Sequence, residues 1–301
     1  MRNHLALALV LVLAIGASPV RAQDPAPVFR AGAEAVSVEV SVRRDRRAIV
    51  GLKAADFEVL DNGVRQEISE ISYEKLPIDV TVLLDVSASV TGSALEELRR
   101  ALKQLRSDLG PQDRLRLLAF NMRVKRLVDF SDPAPATDVA LASLSGGGSS
   151  AIFDSLAVAL ASRAGPGRRQ LIVLFSDGQD SSSVTDLDTL LDVARRSTPT
   201  VAVVLASPSL QRTASLLRHT QKSVGDVAQQ IASDTGGFVA TVAAGENLTS
   251  AFRRVLEQFR ASYILYFTPR GVDSKGTHSI DVRVKRDNVD VRSRRSYTGK
   301  N

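Results

Sequence analysis

The sequence contains no cysteine and no tryptophan in its 301 residues. Without cysteine the protein has no disulfide, no thiolate metal ligand, no cysteine nucleophile and no lipid-modified N-terminal cysteine. Aromatic residues make up only 5% of the chain, which argues against a sugar-binding cleft or a base-stacking platform built from aromatic rings. Hydrophobic residues reach 44%, so the chain can bury a substantial core, as one large domain or as one medium domain with additions.

The first 22 residues have the pattern of a secretory signal peptide. Arg2 and His4 precede the 12-residue apolar run LALALVLVLAIG, and the VRA before Gln23 resembles a cleavage site. An uncleaved membrane anchor is the alternative, but a spanning helix needs about 20 apolar residues. We therefore expect cleavage and a soluble periplasmic or secreted protein with no membrane span. The lack of disulfides suits a bacterial periplasm or medium.

Residues 76–262 alternate strand and helix patterns. IDVTVLL and QLIVLFS are near-continuous apolar runs, typical of strands that are covered on both faces. DLDTLLDVARR and ENLTSAFRRVLEQFRA have the apolar spacing of amphipathic helices. RLRLLAF and VKRLVDF, joined by Asn121-Met122, predict a hairpin. This alternation predicts an α/β fold, a doubly wound and mostly parallel sheet with helices on both faces in the Rossmann-like manner.

Two β segments flank this region, at residues 23–75 and 263–301. AVSVEVSV places alternate valines on one face, and Asn62-Gly63 predicts a hairpin turn because both residues tolerate positive φ. YILYFTP, HSIDVRVKR and DVRSRRSY predict three further strands. Because the two ends of a domain often lie close together, the two segments could pair with each other.

Oxygen-bearing side chains gather at predicted strand ends and helix starts: Asp85, Ser87 and Ser89 in LLDVSASV, Ser149 and Ser150 in SGGGSSAIFD, and Asp177 in LIVLFSDG. In a doubly wound sheet, ligands bind outside the carboxyl ends of the parallel strands, so these groups should meet at one edge. An all-oxygen set without His or Cys favours a hard divalent cation, above all Mg²⁺. A single such motif would be adequately explained as ordinary helix capping.

DVSAS, GGGSSAIFD and FSDGQD, in this order, resemble the von Willebrand factor A (VWFA) domain with its metal-ion-dependent adhesion site (MIDAS). The resemblance covers roughly residues 76–262. The flanking β segments resemble those of bacterial VWFA-related domain proteins, a group abundant in Acidobacteria.

The resemblance implies a set of metal ligands: Asp85, Ser87, Ser89, Ser150 and Asp177. The two serines near Asp85 would bind the metal directly, Asp85 directly or through water, and Asp177 through water. Ser150 stands where the family commonly has threonine, with Ser149 as a neighbouring candidate. The cation is expected to be Mg²⁺, with Mn²⁺ or Ca²⁺ as alternatives. It would bind an Asp or Glu of an unknown protein partner.

Catalysis and a purely structural metal site are the competing functions. A serine hydrolase needs a histidine beside an acid, and neither His219 nor His278 is placed near the strand ends. There is no G-x-S-x-G element, and the glycines before Ser149 lack the Gly-Lys-Ser/Thr of a phosphate loop. We therefore expect no catalytic residue, no organic cofactor and no enzyme activity. A metal-assisted hydrolase is the less favoured alternative, after a stabilising metal site in an assembly protein.

Basic residues concentrate in two places, the link 207–223 and the C-terminal RVKRDNVDVRSRRSY. Such runs are found in nucleic-acid-binding proteins. The alternating valines of the C-terminal run instead predict the solvated face of strands. We expect no nucleic-acid partner.

Overall fold

The computed structural model describes residues 35–45, 47–73, 76–88, 90, 92–162, 165, 167–176, 180–205, 224–242 and 246–299. The predicted signal peptide at 1–22 and the basic link 207–223 lie outside these ranges. From residue 35 onward the chain forms one unit. Within the described ranges, no helix combines the length and the apolar composition needed to cross a membrane.

The strands are β1 (Val36–Arg44), β2 (Arg47–Ala48), β3 (Phe57–Asp61), β4 (Val64–Gln66), β5 (Ile68–Ser72), β6 (Ile78–Asp85), β7 (Arg114–Phe120), β8 (Val124–Val128), β9 (Arg169–Ser176), β10 (Thr200–Leu205), β11 (Phe238–Thr241), β12 (Tyr263–Phe267), β13 (Gly276–Val284), β14 (Asp290–Ser293) and β15 (Ser296–Gly299). The helices are α1 (Gly92–Asp108), α2 (Ala134–Ala142), α3 (Ile152–Leu160), α4 (Leu187–Arg196), α5 (Val224–Asp234) and α6 (Leu248–Arg260).

Six strands form the central sheet, in the order β11-β10-β9-β6-β7-β8. All neighbours are parallel except β7 and β8, which form the antiparallel hairpin predicted from the sequence. Every residue of β6, β9 and β10 is buried, because helices cover both faces. Side chains of β6 alternate between the layer of α1, α2 and α6 and the layer of α3, α4 and α5. The predicted doubly wound α/β fold is confirmed.

The two flanking β segments pair with each other in two further sheets. One has the order β14-β1-β12-β5, with β2 against β1, and the other has the order β15-β13-β3-β4. A shared apolar core lies between them, including Val40, Val59 and Leu265. The β3–β4 hairpin turns at Asn62 and Gly63 with φ of 48° and 81°, as their sequence predicts. We call the two sheets the β module.

The prediction of one strand over DVRSRRSY is wrong. β14 and β15 belong to different sheets, and the chain turns between them at Arg294-Arg295. The cause is a contact with the α/β region of residues 76–262. Arg294 forms a β-bridge with Thr235, and its guanidinium donates to the Ser197 carbonyl. The same guanidinium also donates to the Ser296 carbonyl at the start of β15. These bonds draw the backbone out of a continuous strand.

The β module attaches to the amino-terminal edge of the central sheet. Arg169, the first residue of β9, donates to Glu39 of β1 at 2.8 Å, and its guanidinium lies 4.1 Å from the ring centroid of Phe259. Glu39 also accepts a hydrogen bond from Thr200, the first residue of β10, at 3.1 Å. The carboxyl edge of the same strands faces the other way and carries the site described below.

Candidate functional site

The site is built around Asp85, the last residue of the central strand β6. Its side chain is fully buried, with 0% exposure. The Ser87 amide donates to Asp85 Oδ1 at 3.0 Å, so the chain turns sharply as it leaves the strand. The Val86 amide still bonds the Phe120 carbonyl at 2.9 Å, which keeps the start of this loop in line with the sheet. Ser87 is also buried.

A glycine loop before α3 packs against the loop that follows Asp85. The Gly147 amide donates to the Val86 carbonyl at 2.8 Å, and the Ala88 amide donates to the Gly148 carbonyl at 3.1 Å. At Gly146 a Cβ atom would lie 2.2 Å from the Val90 carbonyl oxygen. Only glycine allows this approach of the two backbones.

The glycine loop delivers Ser150 to Asp85. The Ser150 hydroxyl lies 3.1 Å from Asp85 Oδ1 and 3.2 Å from Oδ2, although the two residues are 65 positions apart in the chain. Ser150 is buried, whereas its neighbour Ser149 is exposed. The next amide, that of Ala151, donates to the Asn121 carbonyl at 2.9 Å, and α3 begins one residue later.

Ser176 is a member of the site that the sequence analysis missed. It ends β9, the strand beside β6, and its buried hydroxyl donates to Asp85 Oδ2 at 2.6 Å. The signal in the sequence was its place in FSD, directly before Asp177 at the end of a buried strand. Ser150, Ser176 and the Ser87 amide together fix the orientation of the Asp85 carboxylate.

The loop after β9 is fastened to the start of α3. The amides of Ser181 and Ser182 donate to the Ser150 carbonyl at 2.9 and 3.1 Å. Asp180, a second residue that the sequence analysis missed, accepts the Phe153 amide at 2.9 Å and the Ser183 hydroxyl at 2.7 Å. The carboxylate therefore caps the helix, where the dipole favours negative charge.

Asp154 in the first turn of α3 holds the next part of the same loop. Its carboxylate accepts the amides of Val184 and Thr185 at 3.0 and 2.8 Å. Burial opposes the charged form of Asp154, but the bonds from Thr185 and Val184 outweigh it and keep the pKa of this carboxyl below its ordinary value. Three loops are thus held together at the carboxyl edge of the sheet.

A family model for the von Willebrand factor type A domain matches residues 79–254, more than half of the chain. The chain belongs to this family. The match spans the central sheet from β6 into α6 and includes every residue of the site just described.

One curated relative of this von Willebrand factor type A protein is a plant protein. The chain is 32% identical over 162 residues to the E3 ubiquitin-protein ligase WAV3 of Arabidopsis thaliana, an alignment that covers 50% of this chain and 21% of that protein. The chain thus spans about a fifth of the length of this curated relative.

Two solved structures are similar to this chain at low sequence identity. A von Willebrand factor type A protein from Catenulispora acidiphila is 12% identical, with a TM-score of 0.49, and the match covers 90% of this chain and 76% of that chain. Proximal thread matrix protein 1 from the mussel byssus, solved with a zinc-occupied MIDAS motif, is 13% identical, with a TM-score of 0.48 and coverage of 66% and 49%.

The structure brings together three of the five residues predicted as metal ligands, namely Asp85, Ser87 and Ser150. Ser89 and Asp177 lie outside the described residues. The side chains of these three residues carry one carboxylate and two hydroxyls, and oxygen ligands of this kind suit Mg²⁺, Mn²⁺ or Ca²⁺. In the described ranges, no cluster of three His, Asp or Glu side chains offers an alternative metal site. His278 lies instead in β13 of the β module, bonded to Asp61 at 2.8 Å.

Proposed function

We propose that this von Willebrand factor type A domain is a binding module, which holds a divalent cation at the carboxyl edge of its central sheet and binds a protein partner through a carboxylate. One observation carries the proposal: the Ser150 hydroxyl and the buried Asp85 carboxylate, from distant parts of the sequence, meet within 3.1 Å. The proposed ligands are Asp85, Ser87, Ser89, Ser150 and Asp177. The assignment of Ser89 and Asp177 rests on the family pattern alone.

The chain's own residues would set the properties of the cation. Ser176 and the Ser87 amide orient the Asp85 carboxylate, so that its oxygens stay in place at the strand end. Hydroxyl ligands are neutral and leave most of the cation's positive charge uncompensated. When bound, the cation would supply an electrophilic coordination position for an Asp or Glu of the partner. Mg²⁺ is the cation that we propose first.

We propose binding rather than catalysis, and export rather than retention. His278 is the one histidine in the described ranges, and it is buried in the β module against Asp61, away from Asp85. No described histidine therefore supports a general base at the site. The proposal of a periplasmic or secreted protein rests on the signal-like sequence of residues 1–22.

A second candidate function is a brace, in which the cation only stiffens the loops. The hydrogen bonds that join the three loops at the carboxyl edge of the sheet favour this alternative. The two functions differ in one respect: a brace changes stability alone, whereas a binding site also governs capture of a partner.

Titration calorimetry with Mg²⁺ tests the metal site. The wild-type chain should bind one Mg²⁺. Ser150→Ala should weaken binding at least about tenfold, equivalent to 1.4 kcal/mol, and Asp85→Asn at least about two hundredfold, equivalent to about 3 kcal/mol. The matched control is Ser155→Ala, since this buried hydroxyl on α3 donates to the Ile152 carbonyl at 2.8 Å and to no other group in the described ranges. Equal affinity in all four proteins would contradict the assignment.

A pull-down from an envelope fraction then separates binding from bracing. Partners recovered in Mg²⁺ should be lost in EDTA and with Asp85→Asn. Recovery of the same partners under all three conditions would reject cation-mediated recognition. The remaining candidate would then be a cation that only stiffens the loops.

A further inference from the structure

Two exposed apolar side chains lie on the loops that flank Ser150. Met122, at the tip of the β7–β8 hairpin, is 63% exposed, and Val184, in the loop after β9, is 94% exposed. Isolated apolar residues on a surface are ordinary. These two are distinguished by their position, because each belongs to a loop that is hydrogen-bonded directly to the Ser150 segment.

The β7–β8 hairpin is attached to this segment on both sides of Ser150. Asn121 Nδ2 donates to the Gly147 carbonyl at 2.9 Å, and the Asn121 carbonyl accepts the Ala151 amide at 2.9 Å. The Asn121 side-chain oxygen also accepts the Arg123 amide at 3.1 Å, which fixes the shape of the hairpin tip. Met122 is therefore held at the rim of the site while its side chain remains in solvent.

Val184 is held in a comparable way on the loop after β9. Two residues of this loop, Ser181 and Ser182, bond the Ser150 carbonyl. The Val184 amide donates to Asp154 of α3 at 3.0 Å, which ties its backbone down. A fixed backbone with an exposed apolar side chain can bury that side chain against a partner at little cost in conformational entropy.

The charge on the hairpin side of the rim is positive. Arg123 and Lys125 are both exposed, and neither forms an ion pair with any residue in the described ranges. Arg126, by contrast, is paired with Asp129 at 2.9 Å. On the other side of the rim, the Asp154 and Asp180 carboxylates face inward and accept loop and helix amides. The outward-facing charges of the hairpin tip therefore favour an acidic partner.

We infer that the partner presents an acidic segment in which the carboxylate at the cation is flanked by a large apolar residue and by further acids. The apolar residue would pack on Met122 and Val184, and the additional acids would lie near Arg123 and Lys125. This inference rests on the proposed function, because it describes the surroundings of the same carboxylate. A bare carboxylate would then be a weak ligand, and the rim would determine which acidic protein binds.

Four synthetic peptides test the inference, with cores Leu-Asp-Glu-Glu, Ser-Asp-Glu-Glu, Leu-Asp-Gln-Gln and Leu-Asn-Gln-Gln. Each is displayed at high density on beads, since multivalency makes weak contacts measurable. Binding of the full chain is measured in Mg²⁺ and in EDTA. The first peptide should bind best, and replacing its Leu by Ser or its Glu pair by Gln should each weaken binding about fivefold to tenfold.

Variants of the rim assign these preferences to residues. Met122→Ser with Val184→Ser should abolish the preference for Leu over Ser, and Arg123→Glu with Lys125→Glu should abolish or reverse the preference for Glu over Gln. Matched controls are Val158→Ser, at a 51% exposed valine on α3, and Lys275→Glu in the β module loop. Both controls should keep both preferences.

The outcomes separate this inference from the proposed function. If the Asp peptides bind only in Mg²⁺ but without either preference, or if the rim variants keep the preferences, the rim inference is overturned while cation-mediated binding stands. If the Asn peptide binds as well as the Asp peptides, or if none binds in Mg²⁺, the proposed function fails and this inference fails with it.

Discussion

Replacement of Asp85 by Asn should make the thermal stability of the protein nearly independent of Mg²⁺. The fully buried carboxylate accepts bonds from the Ser150 and Ser176 hydroxyls and from the Ser87 amide. Bonds to a charged group contribute about 1.5–3 kcal/mol each. The desolvation of a buried charge opposes this gain by several kcal/mol. Asparagine keeps the volume and one acceptor oxygen, so we expect a change of no more than about 2 kcal/mol in EDTA.

The difference should appear when Mg²⁺ is added. A ligand that binds only the folded state stabilises it by about 2.7 kcal/mol at a concentration of 100 times its Kd. For a domain of this size, 1 kcal/mol shifts the melting temperature by about 2–4 °C, so the wild-type Tm should rise by roughly 5–11 °C. Asp85→Asn should rise by less than about 1 °C, because its metal site has lost the charge that attracts the cation.

The assay is thermal unfolding followed by circular dichroism, in EDTA and in Mg²⁺ at matched ionic strength. Ser176→Ala is the informative companion, because this hydroxyl orients Asp85 without being a proposed ligand. It should lower stability in EDTA and keep most of the Mg²⁺ shift. An Mg²⁺ shift in Asp85→Asn as large as that of the wild type would refute the reasoning, as would a wild-type Tm that no divalent cation raises.

Three further predictions concern the module contact, alkaline stability and the glycine loop. Glu39→Ala should lower the free energy of unfolding in urea by about 1–3 kcal/mol, less than the loss for a fully buried pair, because Arg169 is 4% exposed but Glu39 is 27% exposed. Burial and the Asp61 carboxylate raise the pKa of Tyr297, so the folded state favours the neutral phenol. The stabilisation that results from this raised pKa is present below the ordinary pKa of 10.0 and should be lost as pH rises above it. In urea titrations at increasing pH, Tyr297→Phe should make the loss of unfolding free energy less steep. Gly146→Ala should weaken Mg²⁺ binding in calorimetry by about tenfold, because its Cβ would displace the Val90 carbonyl.

Each of these predictions has a matched control. Arg169→Met should rescue part of the loss in the Glu39 variant, and simple additivity of the two losses would contradict a direct pair. Tyr263→Phe should leave the contribution of Tyr297 in place, although the pKa of Tyr263 is also raised by burial. Gly165→Ala, where a Cβ meets nothing closer than 3.5 Å, should leave Mg²⁺ affinity unchanged.

The sequence predicted the central sheet because its strands carry their own signal. IDVTVLL and QLIVLFS are apolar on both faces, and no exposed strand needs that composition. Helix α2 was not predicted, since the prolines near its start, Pro133 and Pro135, suggest a loop although proline is well accepted in a first helical turn. The break between β14 and β15 was not predictable locally, because its cause is the contact of Arg294 with Thr235 and Ser197, residues about 60 and 100 positions away.

Within the site, side chains at loop starts were easier to predict than those inside strands. Asp85 and Ser150 interrupt apolar or glycine-rich runs, which marks them as unusual. Ser176 continues β9 by backbone pattern, and only the geometry reveals that its hydroxyl faces Asp85. Asp180 resembles an ordinary loop residue until the start of α3 is found against it. A contact that depends on which neighbouring strand lies beside another is invisible in a local pattern.

The separation of the two ends of the central sheet bears on how the protein works. Arg169 begins β9 and contacts the β module, whereas Ser176 ends β9 and contacts Asp85. At about 3.3 Å per residue, the strand places these contacts roughly 23 Å apart. The β module therefore contacts the central sheet at one edge, and the proposed cation site lies at the other. Substitutions at the Arg169 contact should change stability without changing Mg²⁺ affinity, whereas those around Ser150 should change affinity first.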